Sequence, residues 1–389
     1  MFPFFITFAL LFFSSSSKSI KYIYVLSDEG YHLVTTLGLP YDATLFEINL
    51  SSDYSYITPL NYNRTKSTSV KSIAFEKSNI ENATCEHVKE RIELVISQKE
   101  EYVIDDIDFL YYNRTFSKKD SLTFAHKMKT EFSLLHNLLK RGFIEHLRFG
   151  MIKRDEERGY FYFGDIPNKE VMNYSSVILN TEKDFQTWSV KLNKYYIGDK
   201  EYTNEFSMKF ELSQRKLLLP LTIYELFQKE IFIPYVANKT CVYKQQEELY
   251  ECSGEGLKYF PSIDLILDNI KFSLNGECLY KRIFEAKTYM IGKNKDNEWV
   301  IGVPFFEKYP VLFDYEKSTI TVYSNTTFEK VTTVKQSNGL FSNFSWRYIV
   351  FGILMIIGLA MLIVFNARKE ELIQKKKKEK SKDLLLQDI

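Results

Sequence analysis

Cysteine and histidine are scarce in this chain: four and five among 389 residues, with no Cys-x-x-Cys pair and no metal-ligand spacing. No metal centre is therefore expected, and four cysteines cannot staple a disulfide-dense scaffold. An excess of charge of one sign is missing too. Fifty-one basic against fifty acidic side chains leave a formal net charge of +1, where a nucleic-acid binder would show a strongly basic face. No cofactor is expected either. What the chain has is apolar and aromatic mass: 45% hydrophobic, 16% aromatic, with 27 Tyr and 32 Phe. That composition fits a packed, strand-rich globular protein, and the length leaves room for two lobes of ordinary domain size.

The two ends suggest where the chain resides. Residues 1–13 form an apolar run followed by serines at 14–17, which reads as a secretory signal peptide over 1–18, although a basic n-region is lacking. Residues 348–365 are apolar without interruption, long enough to cross a bilayer as a helix over 347–366. Trp346 and Tyr348 flank it on one side; Arg368, Lys369 and lysines at 375–378, 380 and 382 follow on the other. The positive-inside rule puts this basic tail, 367–389, in the cytosol. Residues 325–346 are polar and suit a stalk. The expectation is a single-pass type I membrane protein of the secretory pathway, at the plasma membrane or a lysosome- or endosome-like membrane. Its body would be extracellular or lumenal. Sequons at Asn49, Asn63, Asn82, Asn113, Asn173, Asn238, Asn325 and Asn343 agree with a glycoprotein on that route.

The body is organised by a stretch that occurs twice. Phe46, Ile48 and Leu50 alternate on one face of a strand that runs into the turn Asn49-Leu50-Ser51-Ser52 and leaves through Tyr56 and Ile57. Some 160 residues later the same grammar returns as Met208-Lys209-Phe210-Glu211-Leu212-Ser213, then Leu217-Leu218-Leu219-Pro220. Asn-Leu-Ser and Glu-Leu-Ser read as two copies of one turn, which predicts a two-lobed molecule whose equivalent turns meet at its centre.

This order, with Gly38-Leu39-Pro40 ahead of the first copy, resembles the pepsin-like (cathepsin D type) aspartic peptidases. The resemblance implies a mainly β, bilobal fold with barrel-like lobes over 19–170 and 171–324 and a central cleft. In the family each lobe brings one Asp-Thr-Gly turn to that cleft. Here the aspartates fall on Asn49 and Glu211, the threonines on Leu50 and Leu212, and the glycines on Ser51 and Ser213. Residues 120–126 take the place of a glycine-rich family segment without its glycines. The pair of Phe149-to-Ile152 and Gly159-Tyr160-Phe161-Tyr162-Phe163-Gly164 is similar to a family hairpin, which places the interlobe crossing near 165–180. Trp299-Val300-Ile301-Gly302, with Val311-Leu312-Phe313-Asp314 behind it, resembles the family's end block and is its most specific trace. No tyrosine stands between Tyr62 and Tyr102, where the family carries its flap tyrosine, and no basic prosegment follows the leader. The second absence fits a cleft with no acidic pair to plug.

Local patterns complete the expectation. Phe132, Leu134, Leu135, Leu138 and Leu139 share a helical stripe that Gly142 ends, and a short helix follows Pro220 over 221–230. Cys241 and Cys252 are placed to close a hairpin as a disulfide, which leaves Cys85 and Cys278 either to pair or to stay thiols.

Aspartic peptidases need two carboxylates about 3 Å apart that share one proton. The Asn49 amide does not titrate usefully, so it serves as neither acid nor base. Glu211 keeps an acid but has lost the like-charged neighbour. The resemblance thus implies no intact catalytic dyad: a membrane-anchored, inactive homologue that binds a peptide or protein through the interlobe cleft or surface. The alternative is an active aspartic endopeptidase with a non-standard dyad, for which Glu211 with Asp53 is the candidate. A purely adhesive glycoprotein is a third possibility without a motif. Leu50 and Leu212 would face each other across the lobe interface as an apolar pair in place of the threonines.

Overall fold

A computed structural model describes residues 18–331 and parts of 360–375. It omits 28–29, 40–41, 60–61, 78–83, 98–99, 113–119, 156–157, 183–185, 204, 245–248, 253–259, 284–285 and 297. The chain divides into two compact units, 1–331 and 332–389. In the second, the described residues are helical and exposed. Among the described residues no helix is long and apolar enough to cross a membrane. Most of the expected span lies outside the described residues, as do leader residues 1–17, stalk residues 332–346 and the tail lysines from 376 on.

The first unit is built on alternation. Along Asp42–Asn49, Phe46 and Ile48 are fully buried, while Leu45 is exposed and Glu47 and Asn49 are half-buried, as the period of two in a strand demands. One sheet of thirteen strands takes every strand from Ile20–Leu26 to Ser175–Asn180, and also Val311–Asp314 and Thr319–Ser324. Those last two return from the far end of the sequence. Val311–Asp314 pairs with Arg148–Lys153, and Thr319–Ser324 pairs with Ser175–Asn180. A nine-stranded sheet holds most of the second half, and a four-stranded sheet holds the hairpins at 241–252 and 280–289. The fold is mainly β and bilobal.

The sequence repeat is a structural repeat. In each half the strand that carries the turn pairs in parallel with a later strand: Ile48 with Leu122, and Lys209 with Val300. Between the halves runs a chain of rings. Phe149 stacks on Phe313 at 4.6 Å, Trp188 meets Phe313 edge-on at 5.1 Å, and Phe124 packs on Phe149 and Phe161. The Trp188 indole N–H donates to the Phe124 carbonyl at 2.8 Å, which satisfies a polar group that the core would otherwise strand. Phe124 also explains the missing glycines. No residue over 120–126 needs a positive φ, and the ring fills core volume instead.

The helix Leu134–Lys140 forms as expected, capped by the Ser133 hydroxyl and stopped at Gly142, whose φ is +72°. Phe132 sits just ahead of it in a 3-10 turn. The helix after Pro220 runs further than the expected end at 230. An α segment, Leu221–Phe227, passes into a π turn, Gln228–Phe232, and then a second α segment, Ile233–Ala237. Pro234 lies in the first turn of that last segment, directly after the π turn, and lacks the N–H that a continuing helix would use. Cys241 and Cys252 are disulfide-bonded across a hairpin, while Cys85 and Cys278 are buried and carry no disulfide.

Candidate functional site

The two repeated turns meet. Asn49 ends its strand, and its carbonyl accepts the Phe124 N–H at 2.7 Å. Its side-chain oxygen accepts the N–H groups of Ser51 at 2.9 Å and Ser52 at 2.8 Å. The amide therefore folds its own turn, as asparagine does in Asx turns. Glu211 follows the strand Phe206–Phe210, and its N–H donates to the Ile301 carbonyl at 2.9 Å. The Glu211 carboxylate crosses to the other turn: Oε1 accepts the Leu50 N–H at 3.0 Å, and Oε2 accepts the Ser51 hydroxyl at 2.6 Å. The same Ser51 hydroxyl stands 3.3 Å from Asn49 Oδ1, so Asn49 and Glu211 flank one oxygen.

Close backbone contacts hold the Glu211 turn in place. A Cβ on Gly302 would lie 2.2 Å from the Gln214 carbonyl, so only glycine fits there. Val303 donates its N–H to that carbonyl at 2.9 Å. On the other side, Tyr31 donates to the Leu212 carbonyl at 3.0 Å, and a Cβ on Gly30 would come within 2.7 Å of the Ser213 carbonyl. Leu50 and Leu212 are both fully buried in one continuous apolar cluster. The hydrogen bond between the turns runs through the Glu211 carboxylate.

Among the described residues no hydrogen bond links Asp53 to Glu211. Asp53 accepts the Lys129 N–H at its carbonyl, its Oδ1 is buried without a hydrogen bond, and burial, opposed by Lys129, raises its pKa. The acid that feels the Glu211 charge is Glu47, which sequence reasoning passed over. Glu47 lies two residues before Asn49 and so shares its face of the strand. Burial first, and the Glu211 charge as well, raise the Glu47 pKa above 4.5, while a hydrogen bond with Ser213 lowers it in part. Glu47 stands opposite His32 on the neighbouring strand. Burial lowers the His32 pKa, and its Nδ1 donates to the Gly30 carbonyl at 3.0 Å. The alternation that buries Phe46 and Ile48 was the signal available for finding Glu47.

A model of the eukaryotic aspartyl protease family matches residues 116–324, more than half of the chain. The match takes in the Glu211 turn and begins beyond the Asn49 turn. No curated protein matches the chain. The crystal structure of an aspartic proteinase from Irpex lacteus is similar at a TM-score of 0.63 and 10% identity, over 79% of this chain and 97% of that one. At that identity the likeness speaks for the fold, which is pepsin-like. The chain belongs to the eukaryotic aspartyl protease family.

Proposed function

We propose that this protein is a membrane-anchored pepsin-like homologue that binds a peptide or protein in its interlobe cleft or on its surface. It does not hydrolyse that ligand by two-carboxylate chemistry. Asn49 carries the proposal. Its side-chain oxygen is taken up by two N–H groups of its own turn, and its amide neither takes nor gives the proton that hydrolysis must move. Glu211 is engaged as well, because it receives the Leu50 N–H and the Ser51 hydroxyl. A secretory route is supported by exposed sequon asparagines at Asn63, Asn173, Asn238 and Asn325. The anchor over 347–366, with the body outside or lumenal and the tail cytosolic, rests on the apolar run and the lysines behind it.

The test is the full chain, purified from membranes and incubated at acid pH with a broad peptide library, with and without pepstatin. Retention of peptides without cleavage is expected. Pepstatin-sensitive cleavage that disappears in Glu211→Ala would overturn the inactive assignment. A second reading, an active endopeptidase with a non-standard acid pair, is favoured by one observation: the Glu211 charge adds to burial in raising the Glu47 pKa. In that case cleavage would vanish in Glu47→Gln and Glu211→Gln alike.

A further inference from the structure

We infer that Glu47, Glu211 and Ser121 form a recognition site for an ammonium group, so that the peptide taken by the cleft presents a lysine side chain there. This rests on the cleft-binding function proposed above and names its ligand class.

Three strands and one turn converge to make the site. Glu47 pairs with His32 on one side and, in parallel register, with Ser121 on the other. Register partners rise from the same face of a sheet, so the Ser121 side chain stands on the face that carries Glu47. Gly30 and Tyr31, at the head of the His32 strand, press on the backbone of Leu212 and Ser213. That contact brings the Glu211 turn beside this face. Glu47 and Ser213 are half-buried while Ser121, His32 and Glu211 are buried, so a ligand would enter past Glu47 and Ser213.

The charge there is not balanced from within. Among the described residues, no lysine or arginine forms an ion pair with Glu47 or Glu211. His32 faces Glu47 but is buried and held toward its neutral form. Asp120 lies next in sequence to Ser121, and its Oδ1 is turned to Thr58, taking the N–H at 2.6 Å and the hydroxyl at 2.9 Å. An independent observation comes from Ser121 itself. It is 3% exposed, and its Oγ is buried with no hydrogen-bond partner. A buried hydroxyl left so is costly, and a bound donor would relieve it. Two carboxylates and one hydroxyl offer oxygens to a group with three N–H donors, which is an ammonium. A planar guanidinium would prefer a single carboxylate in bidentate fashion.

The experiment uses the full chain in detergent at pH 7 and fluorescence anisotropy. The probes are valine-rich octapeptides with a single lysine at successive positions, each with a norleucine counterpart. At one position the lysine peptide should bind about tenfold more tightly than its counterpart, as for a charge-assisted hydrogen bond. Glu47→Gln should erase that preference and Ser121→Ala should reduce it, read in each variant as the ratio of lysine to norleucine affinity. If norleucine peptides bind and lysine gives no advantage anywhere, or if the preference survives Glu47→Gln, the ammonium site is refuted and cleft binding stands. If no peptide of either series binds, cleft binding itself falls and takes this site with it.

Discussion

At the residue scale, Glu211 and Glu47 hold opposite positions although they are neighbours. Glu211 is a structural acceptor: removing its carboxylate leaves the buried Leu50 N–H without its partner. Glu211→Ala should cost about 1–3 kcal/mol, the usual penalty for an unsatisfied buried group, seen as a lower midpoint in urea. Glu211→Gln keeps one acceptor oxygen and should lose less. Glu47 is a penalty instead, because burial and the Glu211 charge raise its pKa above 4.5. Its stabilising effect is full below pH 4.5 and is lost as pH rises through the raised folded value. Wild-type Tm should therefore fall across that window more steeply than the Tm of Glu47→Gln, and the variant should be the more stable at pH 7. Equal slopes in the two proteins would contradict this placement of Glu47. The Asn49 and Glu211 turns were legible in the sequence because each follows an alternating apolar strand. The effect of Glu211 on Glu47 was not, since it depends on a turn far along the chain docking beside the strand.

At the element scale, legibility tracked how cleanly apolar residues fill the inward positions. In the strand Thr84–Ser97 they do so only in part. Glu86, Glu90 and Glu93 are buried there, and its register with Glu100–Tyr111 shifts between Glu90 and Ile92. Glu90 is sustained by hydroxyls, from Ser67 at 2.8 Å and from Tyr62 and Ser69, with the Arg91 N–H at 2.7 Å. Inward carboxylates and a bulge hide the first half of the strand from a pattern of apolar alternation, while Ile92, Leu94 and Ile96 still alternate in its second half. The helix past Pro220 was misjudged in length for a related reason. A π turn absorbs the phase change before Pro234, where a proline ordinarily signals an end. Cys241 and Cys252, by contrast, were readable from spacing alone. Their hairpin packs Tyr250 flat on Phe232 at 3.8 Å, so the disulfide holds both the strands and the π turn of the helix. Replacing both cysteines by serine should cost about 2–4 kcal/mol, the range for a short closed loop. The loss should appear first as faster limited proteolysis within 241–252, with the thirteen-stranded sheet still protected. Unchanged proteolysis there would mean that ring packing alone holds the hairpin.

At the scale of the whole molecule, the two halves are joined by strands rather than by a linker. Val311–Asp314 sits in one sheet with Arg148–Lys153, with Leu312 opposite Gly150. A Cβ at Gly150 would meet the Val311 carbonyl at 2.7 Å, so this crossing is packed backbone to backbone. Arg148 fastens it. Its Nη1 lies 2.7 Å from Asp165 in the crossing segment, and its Nε lies 2.8 Å from Asp314, an ion pair off the N–H axis. The arginine is largely withdrawn from solvent, as are both aspartates, so removing it leaves two carboxylates without their main counter-charge. Arg148→Ala should cost about 3 kcal/mol, near the low end for breaking a buried pair because some water reaches the group. The distinguishing prediction concerns cooperativity. Trp188 packs at the junction and Trp299 in the nine-stranded sheet, so fluorescence from single-tryptophan versions reports on each separately. Because the halves share strands, both reporters should shift to lower denaturant together in Arg148→Ala. If Trp188 moved while Trp299 kept its wild-type midpoint, the lobes would unfold independently and the shared sheet would not couple them.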